Sequence, residues 1–183
     1  MHVAQEIHEV KKDSQRILAG LEKITKAKRE KYYFLSEVLQ LVIHANEKYS
    51  ELLKKQIVIH STISIDFETE QQIPLLALLN NVVANAVEAI FHNGDIYIDV
   101  YEESHNTWFV IKDNGKGISK EDQVIVFEPG YTTKFNDQGV AATGIGLSHT
   151  QEIIHTLEGY TQINSLEKGV VFKISIPTKN LRR

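Results

Sequence analysis

Residues 81–86 read Asn81-Val82-Val83-Ala84-Asn85-Ala86 and lie inside an apolar stretch that begins near Pro74. Proline is tolerated in a first helical turn, so this stretch predicts a helix from Pro74 to about Phe91. Two asparagines four residues apart share one face of such a helix. Buried carboxamides need partners, because an unsatisfied amide costs about 1–3 kcal/mol. The pair therefore indicates either hydrogen bonding between helices or a Mg²⁺–phosphate site, since an amide oxygen is a hard ligand that suits Mg²⁺.

A glycine-containing turn follows two alternating stretches, residues 95–101 and 107–113, which predict a hairpin of strands. The turn reads Asp113-Asn114-Gly115-Lys116-Gly117. It is a good strand-ending turn, and its glycines also let a flat ligand approach the backbone closely. An ionised Asp113 in that place can accept a hydrogen bond from the exocyclic amine of adenine.

Two further motifs lie in the irregular stretch of residues 114–143 and at its end. They read Phe127-Glu128-Pro129-Gly130-Tyr131-Thr132-Thr133-Lys134 and Gly139-Val140-Ala141-Ala142-Thr143-Gly144-Ile145-Gly146-Leu147-Ser148. The second opens a helix predicted over residues 145–158. Glycines at a helix N-terminus expose backbone N–H groups and the positive end of the helix dipole to phosphate. Each motif alone is equally typical of a surface loop.

Taken in order, the four motifs resemble the N, G1, F and G2 boxes of the Bergerat ATPase fold, which sensor histidine kinases, gyrase, Hsp90 and MutL share. The resemblance implies binding of ATP and Mg²⁺, with a lid over residues 128–143. It implies that Asn85 coordinates Mg²⁺, Asn81 supports that site and Asp113 binds the adenine amine. The other implied nucleotide contacts are Gly115, Gly117, Lys134, Thr143, Gly144, Gly146 and Leu147. Many histidine kinases place Lys or Arg where this chain has Glu88, so a phosphate contact is not expected there.

Position 81 separates two reactions within this fold. Gyrase-like and MutL-like members are similar in placing a glutamate four residues before the Mg²⁺-binding asparagine, where it acts as general base toward water. Here that position is Asn81. An amide cannot take up a proton at neutral pH, so the hydrolytic base is missing. The chain is therefore expected to donate its phosphate to another nucleophile.

The N-terminal residues lack proline and carry two heptad-like apolar seams. One comprises Val3, Ile7, Val10, Ile17, Leu21 and Ile24, and the other Leu35, Val38, Val42, Ala45, Tyr49 and Leu52. Two helices with one apolar stripe each do not form a stable core alone. We expect a helical hairpin over residues 1–56 that dimerises into a four-helix bundle. The alternative is a hairpin packed on its own C-terminal domain, residues 57–183.

His8 is the predicted phosphoacceptor. It lies one position beyond the seam residue Ile7, and Glu9 beside it can take the proton from its second ring nitrogen. His8-Glu9 resembles the start of the H box of a sensor histidine kinase, which implies autophosphorylation and transfer to an aspartate of a response regulator. Lys12 departs from the Thr, Asn or Gln often seen there, which puts phosphatase activity in doubt. The alternatives are a serine kinase of the anti-sigma-factor type and a nucleotide-binding scaffold without transfer.

The predicted fold class is α+β: an N-terminal α-helical hairpin, then a two-layer α/β sandwich of the histidine kinase/Hsp90-like ATPase fold. The remaining strands are expected over residues 57–59, 63–67, 160–164 and 170–176. The net charge of −4 predicts no nucleic-acid partner, and the absence of cysteine excludes disulfides and thiolate chemistry. No apolar run is long enough to span a bilayer. We expect a cytoplasmic location, with any membrane attachment through segments outside this sequence.

Overall fold

The computed structural model describes residues 32–132 and 144–183. Their elements follow in chain order as β1 (Tyr33–Phe34), α1 (Leu35–Leu52), β2 (Gln56–Ile63), β3 (Glu68–Thr69), α2 (Gln72–Ala89), β4 (Asn93–Glu103), β5 (Asn106–Asp113), α3 (Lys120–Ile125), α4 (Gly146–Thr156), β6 (Tyr160–Ser165), β7 (Val170–Pro177) and α5 (Thr178–Leu181).

The main sheet has five strands in the order β2-β4-β5-β7-β6. Strand β2 runs parallel to β4, and the other neighbours are antiparallel. Along β4, Ile96, Ile98 and Val100 are buried, whereas Tyr97 and Asp99 between them are exposed. This alternation means that helices cover only one face of the sheet. The predicted two-layer α/β sandwich is confirmed.

Helix α1 packs against α2 inside this sandwich. Its apolar face, formed by Leu35, Val38, Leu39 and Val42, is at most 1% exposed. This helix is the predicted second arm of a hairpin whose seam meets another copy of the chain. Of that seam, Leu35, Val38 and Val42 are buried within the same chain, whereas Ala45 and Leu52 are exposed. The pairing of the two arms and their dimerisation therefore stay predictions. The predicted first arm, residues 3–24, lies outside the described residues.

Two further expectations differ from the structure. Residues 57–67 were expected to form two strands, but β2 continues through the polar residues His60, Ser61 and Thr62. Because β2 is an edge strand with one open face, polar side chains there remain in solvent. The short helix α3 was expected to be irregular; Ser119 caps it by accepting a hydrogen bond from the backbone of Asp122.

Candidate functional site

Helix α2 forms one wall of the candidate site. At Asn81, the side-chain Nδ2 donates to the carbonyl oxygen of Gly146, 3.2 Å away at the start of α4. Two turns later, the carbonyl oxygen of Ala89 accepts from the backbone N–H of Lys116 at 3.1 Å. With a rise of about 1.5 Å per residue, these two contacts are about 12 Å apart along α2. Asn85 lies midway between them, one turn from each.

Asp113, the last residue of β5, is the buried carboxylate of the site and is 6% exposed. Its Oδ1 accepts from the backbone N–H of Gly115 at 2.8 Å. Burial raises the pKa of Asp113, while hydrogen bonds from the backbone of Gly115 and Val170 oppose that rise. A carboxylate has about four acceptor positions, so two backbone donors leave capacity for a ligand amine.

The turn after Asp113 approaches α2 closely at Gly115. A Cβ on Gly115 would lie 2.7 Å from the carbonyl oxygen of Ala89, so no side chain fits at this position. Two residues on, Gly117 has a φ of +77°. The backbone N–H of Ile118 then donates to Oγ of Ser165 at 3.1 Å. The turn from Asp113 to Gly117 therefore lies between α2 and the end of β6.

The start of α4 forms the other end of the site. Gly144 lies in the left-handed region with φ of +61°, and its carbonyl oxygen accepts from the N–H of Gly130 at 3.2 Å. Gly146 is exposed, whereas Leu147 is half-buried against the core. The structure thus places Gly144, Gly146 and Leu147 at a helix N-terminus beside Asn81.

The F-box segment is attached to the sandwich through aromatic side chains. Phe127 meets Phe172 of β7 edge to face, with ring centroids 5.9 Å apart. Tyr131 donates from its hydroxyl to Oδ1 of Asp122. This hydrogen bond, followed by the one with Ser119, favours the ionised carboxylate and so lowers the pKa of Asp122.

Glu88 is directed towards α1. Its Oε1 accepts from the hydroxyl of Tyr49 at 2.6 Å. Burial, followed by the charge of Glu88, raises the pKa of Tyr49. This hydrogen bond joins α2 to α1 at Glu88.

Four of the predicted site residues, His8, Glu9, Lys134 and Thr143, lie outside the described residues. Of the histidines that the structure describes, three have a carboxylate oxygen within 4.0 Å of a ring nitrogen. These pairs are His44 with Glu47, His60 with Asp95, and His149 with Glu152. An acid close to a histidine is therefore not unique to the His8-Glu9 pair.

Two residues at the start of β7 were not identified from the sequence as part of the site: Val170, the first residue of the strand, and Gly169, which precedes it. Val170 contributes a backbone hydrogen bond to Asp113. Gly169 has a φ of +83°, and a Cβ there would overlap the carbonyl oxygen of Asp113. The glycine of the turn Glu167-Lys168-Gly169 was a signal for positive φ, but its proximity to Asp113 depends on the pairing of β5 with β7.

Within residues 32–132 and 144–183, no cluster of three or more His, Cys, Asp or Glu side chains could hold a metal ion. None of the helices in that part of the chain is long and apolar enough to cross a membrane.

Residues 70–180 match the family of histidine kinase-, DNA gyrase B- and HSP90-like ATPases. The chain is 42% identical to the sensor histidine kinase GlnK of Bacillus subtilis (strain 168) over 183 residues, which cover 99% of the chain and 45% of GlnK. It therefore spans less than half the length of that relative.

Two solved structures of histidine kinases are similar to this chain in fold. The nucleotide-free catalytic domain of histidine kinase ThkA has a TM-score of 0.65 and 27% identity, covering 81% of this chain and 96% of that one. Full-length ShkA in complex with AMPPNP has a TM-score of 0.66 at 17% identity, over 82% of this chain and 32% of ShkA, and supports the fold alone. The chain belongs to the histidine kinase-, DNA gyrase B- and HSP90-like ATPase family, and residues 70–180 are its ATPase domain.

Proposed function

We propose that the chain is the catalytic core of a sensor histidine kinase, which binds ATP with Mg²⁺ between α2, the Asp113 turn and the start of α4. In this proposal Asp113 accepts the adenine amine, and Gly115 and Gly117 leave room for the ring. The N-terminus of α4, with Gly144, Gly146 and Leu147, receives the phosphates together with Thr143 and Lys134. The gathering of three separate motifs around one helix, α2, carries the proposal.

The residues present fit a magnesium ion. Mg²⁺ in nucleotide sites keeps several waters and uses few protein ligands, with substrate phosphates completing its shell. The amide oxygen of Asn85 is such a ligand, on the wall midway between the Asp113 turn and α4. When bound, the ion supplies neutralisation of the phosphate charge. Asn81 supports the same site from one turn earlier.

Asn81 also supports donation of the phosphate in preference to hydrolysis. Its amide donates to the carbonyl oxygen of Gly146, so this side chain acts as a hydrogen-bond donor. A carboxamide has no basic site at neutral pH and cannot remove a proton from water. A site without a base at this position holds ATP until another nucleophile arrives.

His8 is the proposed nucleophile. One ring nitrogen attacks the γ-phosphorus, the bond to the bridging oxygen breaks, and ADP leaves. The proton on the second ring nitrogen passes to Glu9. The phosphoryl group is then transferred to an aspartate of a response regulator. Positioning and neutralisation of charge supply most of the catalysis in such transfers.

The remaining parts of the proposal concern partners. GlnK is named as a sensor histidine kinase, and 99% of this chain matches 45% of GlnK. We propose that the chain forms a homodimer through its N-terminal helical hairpin, residues 1–56. The reaction takes place in the cytoplasm, where response regulators are found.

Labelling with γ-labelled ATP tests the transfer. The expected product is a label on the chain that acid removes and alkali leaves in place, and that His8→Gln abolishes. His44→Gln is the matched control, because His44 also lies beside a carboxylate, that of Glu47, and is exposed on α1. An acid-stable label, or full labelling of the His8→Gln variant, would refute the assignment. Binding of ATP without any label would instead favour a scaffold.

A further inference from the structure

The carbonyl oxygen of Gly146 accepts two side-chain hydrogen bonds. Asn81 donates from Nδ2 at 3.2 Å, across from α2. Thr150 donates from Oγ1 at 2.9 Å, within α4. The two donors also face each other, with Nδ2 of Asn81 3.5 Å from Oγ1 of Thr150, and Thr150 is fully buried. Thr150 belongs to none of the four nucleotide motifs.

Gly146 is the first residue of α4, and its carbonyl shares a rigid peptide unit with the N–H of Leu147. In a planar trans peptide this C=O and this N–H point in opposite directions. Holding the carbonyl oxygen therefore fixes the direction of the Leu147 N–H. That N–H belongs to the first turn, whose donors have no partner within the helix and point towards an anion at the N-terminus.

Gly146 needs this restraint because it has no side chain. An exposed glycine at the start of a helix has no Cβ contacts to fix its φ and ψ, and its backbone is the least restricted of any residue. The hydrogen bonds from Thr150 and Asn81 supply the restraint from the buried side.

We propose that Thr150 is a positioning residue for the nucleotide: with Asn81 it orients the Gly146–Leu147 peptide so that the Leu147 N–H is directed at the phosphates. This inference rests on the proposed function, in which the start of α4 receives the triphosphate. Thr150 itself is buried and acts through the backbone.

The chain contains a matched control. Thr156 makes the same kind of bond in the same helix, from Oγ1 to the carbonyl oxygen of Glu152 at 2.9 Å. Thr156 is exposed and lies at the far end of α4. A Thr→Val change at either position removes one helical side-chain bond, but only the change at Thr150 affects the carbonyl that Asn81 also binds.

Calorimetry on the full chain would compare Thr150→Val, Thr150→Ser, Thr150→Ala and Thr156→Val, each with Mg-ATP and with adenosine. Loss of one net hydrogen bond predicts that Thr150→Val weakens ATP binding about fivefold. Adenosine binding should stay unchanged, because adenosine lacks phosphates. Thr150→Ser keeps the hydroxyl and should bind ATP like the parent chain, as should Thr156→Val. Thr150→Ala provides the same comparison if the valine variant does not fold.

The outcomes separate the two levels of the proposal. If the parent chain fails to bind ATP, the proposed function is wrong. If the parent binds ATP and the valine and alanine variants bind it equally well, the role of Thr150 is refuted. An equal loss of ATP and adenosine affinity would show a general packing role and would also refute it.

Discussion

Asn46 donates a hydrogen bond from Nδ2 to Oδ1 of Asn80 at 3.0 Å, in the interface between α1 and α2. The same nitrogen donates to the carbonyl oxygen of Val42 at 2.8 Å, and Asn46 is 1% exposed. Asn80 precedes Asn81, so this bond joins α2 to α1 one residue before the contact of α2 with α4. Polar pairs of this kind specify how two helices pack, because any other rotation leaves buried amides unsatisfied.

Asn46→Asp should destabilise the fold by about 2 kcal/mol or more, because it places a buried carboxylate against two acceptor oxygens. Urea denaturation measures the change in the free energy of unfolding. Asn93→Asp at an exposed position is the control and should stay within about 0.5 kcal/mol of the parent chain. Equal stabilities of the two variants would contradict the role assigned to Asn46.

Gly169 and Gly130 provide a comparison between backbone strain and steric overlap. Both have a φ of +83°, but a Cβ on Gly130 meets nothing within 4 Å, whereas one on Gly169 overlaps the carbonyl oxygen of Asp113. Gly130→Ala should cost about 1–2 kcal/mol, the usual penalty for an L-residue in the left-handed region. Gly169→Ala should lower the free energy of unfolding by clearly more than Gly130→Ala does, which thermal unfolding would measure. It should also weaken ATP binding. Equal losses of stability in the two variants would show that the positive φ alone explains both, and would contradict a role for steric overlap at Gly169.

Lys55 satisfies the C-terminal end of α2. Its Nζ donates to the carbonyl oxygens of Val87 at 2.9 Å, Glu88 at 3.1 Å and Ile90 at 2.5 Å. A cation at a helix C-terminus also interacts favourably with the dipole. Lys55→Met should lower the free energy of unfolding by about 1–2 kcal/mol. Lys48→Met, which removes an exposed pair with Glu51, should cost under about 0.5 kcal/mol, so a similar loss in both would contradict the prediction.

Asp113 predicts a pH dependence of ATP binding. The ionised carboxylate accepts from the adenine amine more strongly than the protonated acid does, and burial raises the pKa of Asp113. ATP affinity should therefore fall with acid at a higher pH than an ordinary aspartate, with a pKa of about 3.9, would give. Calorimetry over pH would measure this, and Asp113→Asn should bind weakly at every pH. ATP affinity that stays constant down to the pH range in which an ordinary aspartate is protonated would contradict this prediction.

The same raised pKa affects stability in a defined direction. The folded state holds this proton more tightly than the unfolded chain does. The resulting stabilisation is complete below the unfolded pKa and is lost as pH rises through the folded value. Asp113→Asn should remove this part of the pH dependence of unfolding, which denaturation at several pH values would show.

The sequence predicted what depends on local pattern. Helix α2, the β4–β5 hairpin and the glycine turns follow from periodicity and turn chemistry over a few residues. The seam of α1 also predicted burial, but an apolar stripe does not specify its partner, and the helix packs against α2. The six-residue α3 has no buried side chain and so no periodic signal, although Ser119 and Asp122 provided a capping signal. Val170, Gly169 and Thr150 join the site through contacts between distant elements, which no local pattern encodes.

The packing of α1 also determines how far the chain can be shortened. Residues 70–180 match the ATPase family, so a fragment cut at residue 57 would seem complete. Such a fragment would lose α1, which packs against α2, together with the partner of Asn80. The exposed apolar surface would favour aggregation. The smallest fragment suited to crystallisation or screening therefore begins no later than Tyr33, about forty residues before the start of the family match.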